Sequence, residues 1–170
     1  MADSQHRILL IDGAHYDRIR NVLDTNLDFE RLLSELSSNG PLSRTIFYRD
    51  LRNADEVKRR GRFLDWLREV GVTVKGTVSD GEPSRERYGT NLIALAVDAM
   101  AICGPGDQLY LIAADAKLVP LVMELRTRGV LVVLISTLTG PDAVIPPPEL
   151  VSACHLFVDL ADRLDVLARS

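Results

Sequence analysis

The sequence predicts an α/β fold, a three-layer sandwich with a mainly parallel central sheet. Short β-type runs alternate with longer helical patterns along the whole chain, as they do where helices carry the crossovers between parallel strands. In "LIAADAKLVPLV" (residues 111–122) an apolar run that reads as a buried strand gives way to apolar residues at helical spacing, Leu118, Val119, Leu121 and Val122. With 170 residues, 46% of them hydrophobic, the chain can bury one full core, so a single domain over 1–170 is expected.

In order, strands are expected at 7–11, 44–49, 72–78, 108–113, 130–135 and 155–159. The region 17–38 reads as a helix with an irregular start. An amphipathic helix over 54–70 should stop at Gly71, one over 91–103 at Gly104 and one over 117–128 at Gly129, since glycine accepts the left-handed backbone that ends helices. A short helix at 161–168 closes the chain. The segments 79–89 and 137–148 are rich in turn formers and read as loops.

A formal net charge of −4 gives no global basic field, so any nucleic-acid contact must be local. Cys103 and Cys154 both sit in apolar surroundings, which argues against a disulfide framework and a cysteine zinc site and fits a reducing cytoplasm. No apolar run is long enough for a signal peptide or a membrane span, so a soluble protein without a membrane partner is expected. The mechanical parts of other enzyme classes are missing: there is no Gly-x-Gly-x-x-Gly, P-loop, Gly-x-Ser-x-Gly or acidic pair after the first strand.

Open parallel sheets bind ligands beyond the carboxyl ends of their strands. Asp12 follows the first strand in "LLIDGAHY" and Asp115 follows the fourth in "LIAAD". Each reads either as a turn or cap residue or as one of several acids around a metal. Gly13 lets the chain turn sharply away from the sheet. Asp98 lies in "NLIALAVDAMAI", a helix apolar on nearly every face, where a carboxylate must be paired, hydrogen-bonded or metal-bound. Either one basic partner satisfies it or it belongs to a site. The local basic cluster is Lys58, Arg59, Arg60 and Arg62, with Asp55, Glu56, Asp65 and Glu69 in the same segment. It reads as a helix laced with i,i+4 ion pairs or as a phosphate-binding surface. Arg85, Arg87 and Tyr88 are further candidates for nucleic-acid contact.

These motifs carry a resemblance over nearly the whole chain. "ILLIDGAHY", "IFYRD", "YGTNLIALAVDAM", "LIAADAKLVPLVMELRTRGVLVVLI" and "LVSACHLFVDL" resemble, in order, the segments of the NYN family, PIN-like domains that include the LabA-like proteins. The resemblance implies metal-dependent cleavage of RNA. Asp12, Asp98 and Asp115 match acidic positions of the family, and would bind Mg²⁺ or Mn²⁺ and serve catalysis. Such a hard cation prefers carboxylates and water and can activate a water for attack on phosphorus.

Several positions depart from the family's pattern. His15 stands where the family has Asn, Ala113-Ala114 where it has Ser-Gly, and Lys117 where it has a second acid, while Asn91 lies nearest a further expected carboxylate. His15, Asn91 and Lys117 are the candidate substrate-binding residues. His15 reads as a metal ligand or as an ordinary polar turn residue, and Lys117 as a solvated side chain or as a cation that replaces the metal beside Asp98 or Asp115. The alternative to a ribonuclease is a catalytically degenerate module that binds RNA or a protein partner, including a second copy of itself.

Overall fold

The computed structural model describes residues 5–23, 27–51, 53–76 and 90–168. Six strands form one sheet in the order β3-β2-β1-β4-β5-β6, every pairing parallel. They are β1 (Arg7–Asp12), β2 (Arg44–Tyr48), β3 (Thr73–Lys75), β4 (Gln108–Ile112), β5 (Leu131–Ser136) and β6 (Leu156–Asp159). The strands with two neighbours are nearly uniformly apolar because helices cover both of their faces. Side chains alternate between those faces. Ile8 and Leu10 join one core with Ile46, Tyr48, Leu109 and Leu111, while Leu9 and Ile11 join the other with Phe47 and Ile112.

The first core is covered by α4 (Thr90–Ile102), α5 (Val119–Thr127) and α6 (Pro148–Ala153). The second is covered by α1 (Gly13–Leu23), α2 (Phe29–Leu36), α3 (Ala54–Glu69) and α7 (Leu164–Leu167). These two helical layers and the sheet give the expected sandwich. Short 3₁₀ turns at Ala116–Leu118 and Leu160–Arg163 lead into α5 and α7.

Several boundaries differ from the sequence reading: β3 occupies Thr73–Lys75 of the expected 72–78, whose last two residues lie outside the described ones, and three further differences have a local cause. The region 17–38 is two helices, and the first begins at Gly13, directly after β1. Asp28 starts the second by accepting hydrogen bonds from the backbone N–H groups of Glu30 and Arg31. Helix α6 is an addition to the expected elements, with Pro148 at its first position, the one place where a helix accommodates proline without loss. The third boundary is the end of α4. Gly71 and Gly129 do take positive φ, at 94° and 83°, after α3 and α5. Gly104 does not: its N–H donates to Asp107 Oδ2 at 2.8 Å, so a side chain rather than a left-handed glycine ends α4. Arg85, Arg87, Tyr88 and the rest of the 79–89 segment lie outside the described residues.

Gly13 also serves a purpose other than the expected sharp turn. A Cβ there would lie 2.5 Å from Phe47 Cε1 and 2.6 Å from the Tyr48 carbonyl oxygen. Glycine lets α1 start hard against β2, and this close approach fixes the position of everything that follows Asp12.

Candidate functional site

Strand register builds the site. Asp12 pairs with Tyr48, and Tyr48 with Lys75, so the last residues of β1, β2 and β3 form one row at the carboxyl edge of the sheet. Neighbours in such a row stand about 4.8 Å apart. By strand alternation Asp12 shares the α4 side of the sheet with Leu10 and Tyr48.

Asp12 is 8% exposed. The backbone N–H groups of Ala14 and His15 donate to its carboxylate, as at any helix start, and Arg18 lies within electrostatic range. Burial nevertheless pushes its carboxyl above the usual range, and the like charge of Asp115 adds to that push. Asp115 follows β4 and caps the 3₁₀ turn, its Oδ1 accepting the Lys117 N–H at 2.9 Å. The Lys117 ammonium lies 4.0 Å from Asp115 Oδ2, at the limit of an ion pair, with both side chains well exposed. Strand-end geometry therefore brings Asp12 and Asp115 into each other's electrostatic field.

Asp98 is held differently. Its Oδ2 accepts the Tyr48 hydroxyl at 2.7 Å and the Lys75 ammonium at 2.8 Å. Burial opposes its ionisation, but the hydrogen bonds from Lys75 and Tyr48 and the charges of Lys75 and Arg44 outweigh it and hold the carboxyl below the usual range. The acid in the apolar helix is thus satisfied by a basic partner. Among the described residues, no group of three His, Cys, Asp or Glu side chains converges closely enough to hold a metal ion. The three acids lie along one edge as a pair, Asp12 and Asp115, beside a separate triad of Asp98, Tyr48 and Lys75.

His15 is fully buried, its Nε2 2.7 Å from Ser136 Oγ at the end of β5. Its Nδ1 is buried with no hydrogen-bond partner among the described residues. Burial, with the charge of Arg18, drives its pKa to about 3, so the ring stays neutral and ties α1 to the sheet. In this arrangement it presents no surface to a phosphate. Asn91 stands partly exposed in the first turn of α4. Because α4 runs back against the strands, that turn lies at the same carboxyl edge as Asp12.

Sequence reasoning missed Tyr48 and Lys75. "IFYRD" and "VTVK" read simply as strands, and only the sheet order places their last residues beside Asp98. Cys103 and Cys154 are free and buried, with thiols pushed up by burial to about 12 and about 11, so neither supplies a nucleophile or a metal ligand.

Tertiary likeness extends to a crystal structure of a protein of unknown function from Vibrio parahaemolyticus. The two share 18% identity at a TM-score of 0.71, over 94% of this chain and 96% of that one, which shows the fold alone. No curated protein matches the sequence. No helix among the described residues is long and apolar enough to cross a membrane. Residues 7–161 match the family model of the NYN domain, nearly the whole chain, and the protein therefore belongs to the NYN domain family, a group of PIN-like nuclease domains.

Proposed function

We propose that this domain cleaves RNA phosphodiester bonds with Mg²⁺ or Mn²⁺ held between Asp12 and Asp115. The observation that carries the reading is the strand-end pair itself: the buried Asp12 carboxylate ends β1, and Asp115 follows the neighbouring β4, near enough for its charge to act on Asp12. A divalent cation would relieve both the burial and the repulsion. Two carboxylates suffice for Mg²⁺, which keeps several waters and takes its remaining ligands from a phosphate substrate. The bound ion would supply Lewis-acid stabilisation of the phosphate and a more acidic water.

The other residues act around that pair. The N–H groups of Ala14 and His15 orient Asp12, and the Lys117 N–H orients Asp115. The exposed Lys117 ammonium would meet the phosphate, with Asn91 in the first turn of α4 at the same edge. The Asp98–Tyr48–Lys75 triad fixes α4 over the strand ends rather than ligating the metal.

One set of contacts favours the second reading, a degenerate domain that binds RNA without cutting it. A lysine stands beside two of the three acids, Lys75 at Asp98 and Lys117 at Asp115, and supplies charge that a metal would otherwise supply. Calorimetric titration with Mn²⁺ separates the two. The nuclease reading expects saturable binding by the wild type that is lost in Asp115→Asn. Absence of binding to the wild type favours the degenerate domain.

A further inference from the structure

The face of the sheet opposite α4 carries an open cavity of 460 Å³ between α1, α2 and α3. Its wall is aromatic. Phe63 stacks on Tyr16 with an interplanar angle of 8° and on Trp66 with one of 20°, and Phe29 meets these rings edge-on. Two arginines, Arg20 and Arg62, line the same cavity, together with Asp28, whose carboxylate accepts the N–H groups of Glu30 and Arg31 at the start of α2. The Arg20 guanidinium lies 6.0 Å from the Tyr16 ring centroid, and its buried Nε has no hydrogen-bond partner among the described residues.

The charges of α3 sharpen the picture. Among the described residues its ion pairs are Arg60 with Asp17, Glu56 with Arg49, and Arg68 with Asp65. Lys58, Arg59 and Arg62 take part in none, so the basic cluster is not a helix laced with i,i+4 pairs. Arg59, Arg62 and Trp66 are spaced i, i+3, i+7 and share one stripe of α3, about 10 Å long. One turn nearer the start of α3, a second cavity of 300 Å³ is lined by Arg49, Glu56, Arg59 and Arg60. Because α3 begins just after β2, that end of the stripe lies at the carboxyl edge, where Asp12 and Asp115 stand.

We propose that the aromatic cavity is a subsite for one nucleotide of single-stranded RNA, whose base enters against Phe63 and Trp66 while Arg20 and Arg62 hold its phosphate. Arg59 and Lys58 take the next phosphates and lead the strand over the edge of the sheet towards Asp12. Planar rings and guanidinium groups together suit an unpaired base and its backbone, whereas a duplex keeps its bases stacked out of reach. An acidic peptide would use the arginines and leave the aromatic wall unfilled. The inference rests on the reading of the domain as one that acts on RNA, and it adds a binding site remote from the acids.

Trp66 is the single tryptophan of the chain, so its fluorescence reports the cavity directly. Titration with a single-stranded decanucleotide in EDTA, where no metal-dependent cleavage occurs, should quench it saturably, and equally in Asp12→Asn. Arg62→Ala should weaken binding about tenfold and lower the slope of log affinity against log salt by about one. Arg128→Ala, on the far side of the sheet, should change neither. Adenosine monophosphate alone should bind at least a hundredfold more weakly, because it lacks the following phosphates. The subsite is overturned by absence of quenching, by unchanged affinity in Arg62→Ala, or by the mononucleotide matching the strand. RNA cleavage with an unaltered KM in Arg62→Ala would remove this subsite and leave the cleavage reading standing. Tight binding without cleavage would do the reverse.

Discussion

Replacing Gly13 by alanine puts one methyl group where the packing has no room. The new Cβ would meet Phe47 Cε1 at 2.5 Å, the Tyr48 carbonyl oxygen at 2.6 Å and Phe47 Cζ at 2.8 Å. The carbonyl belongs to β2, which is locked in register with β1 and β3, and the Phe47 ring is wedged against Tyr16, Phe29 and Phe63. Neither neighbour can retreat cheaply. Overpacking of this kind costs about 3 kcal/mol, against at most ~1 kcal/mol gained by replacing glycine in a helix, so about 2 kcal/mol of net destabilisation is expected. For a domain of this size that lowers Tm by roughly 4–8 °C. Gly61, inside α3 with nothing within 4 Å of an added methyl, is the internal control. Gly61→Ala should stabilise by about 0.5–1 kcal/mol. Urea unfolding followed by circular dichroism reads both. The Gly13 substitution should also shift the start of α1, pulling the N–H groups of Ala14 and His15 off Asp12 and weakening Mn²⁺ binding. Equal stability of Gly13→Ala and wild type, or the same direction of change at both glycines, would refute the close-approach argument.

Three further outcomes follow from the site. The folded state disfavours ionised Asp12, a cost absent below the unfolded carboxyl value of ~3.9 and fully present once pH has risen through the raised folded value. Asp12→Asn should therefore be more stable than wild type at neutral pH without metal, with the difference vanishing in acid; a less stable variant at pH 7 would contradict this. His15, held neutral to about pH 3 in the folded chain, should cost stability as pH falls from about 6.5 towards 3, with a slope approaching ~1.4 kcal/mol per pH unit, and its ring should show no NMR titration between pH 5 and 8. Lys117→Asp turns the cation beside Asp115 into a third carboxylate and should tighten Mn²⁺ binding at least tenfold, measured by calorimetry; unchanged affinity would place Lys117 outside the field of the acids.

Most strands are legible because burial on both faces leaves a local mark. β1 reads as an apolar run ending in Asp12, and β4 and β5 read the same way. Asp98 is legible as an anomaly, since an acid in an apolar helix demands a partner, but the identity of that partner is not. Lys75 and Tyr48 reach it through the register of β3 on β2, a property of residues far apart in the chain that no single segment records. His15 reads as an accessible turn residue only if α1 begins later than it does. A helix that starts at Gly13 turns the ring inward against Ser136 instead. The break before α2 does carry a local signal, an Asp at position 28 suited to cap the apolar stretch after it. That Arg59 and Arg62 make no ion pair among the described residues is not readable at all, because acids at the right spacing stand in the sequence, and Glu56 and Asp65 pair with Arg49 and Arg68 instead.

On the proposed function, Asp12 and Asp115 together hold the metal for RNA cleavage. The most direct test incubates an end-labelled single-stranded RNA with wild type and with Asp115→Asn, in Mn²⁺ and in EDTA, and resolves the products on a sequencing gel. Internal cleavage by the wild type is expected in Mn²⁺ alone, reduced at least a hundredfold in Asp115→Asn while RNA binding in EDTA is retained. Intact RNA with the wild type in Mn²⁺, or cleavage that survives Asp115→Asn undiminished, would contradict it.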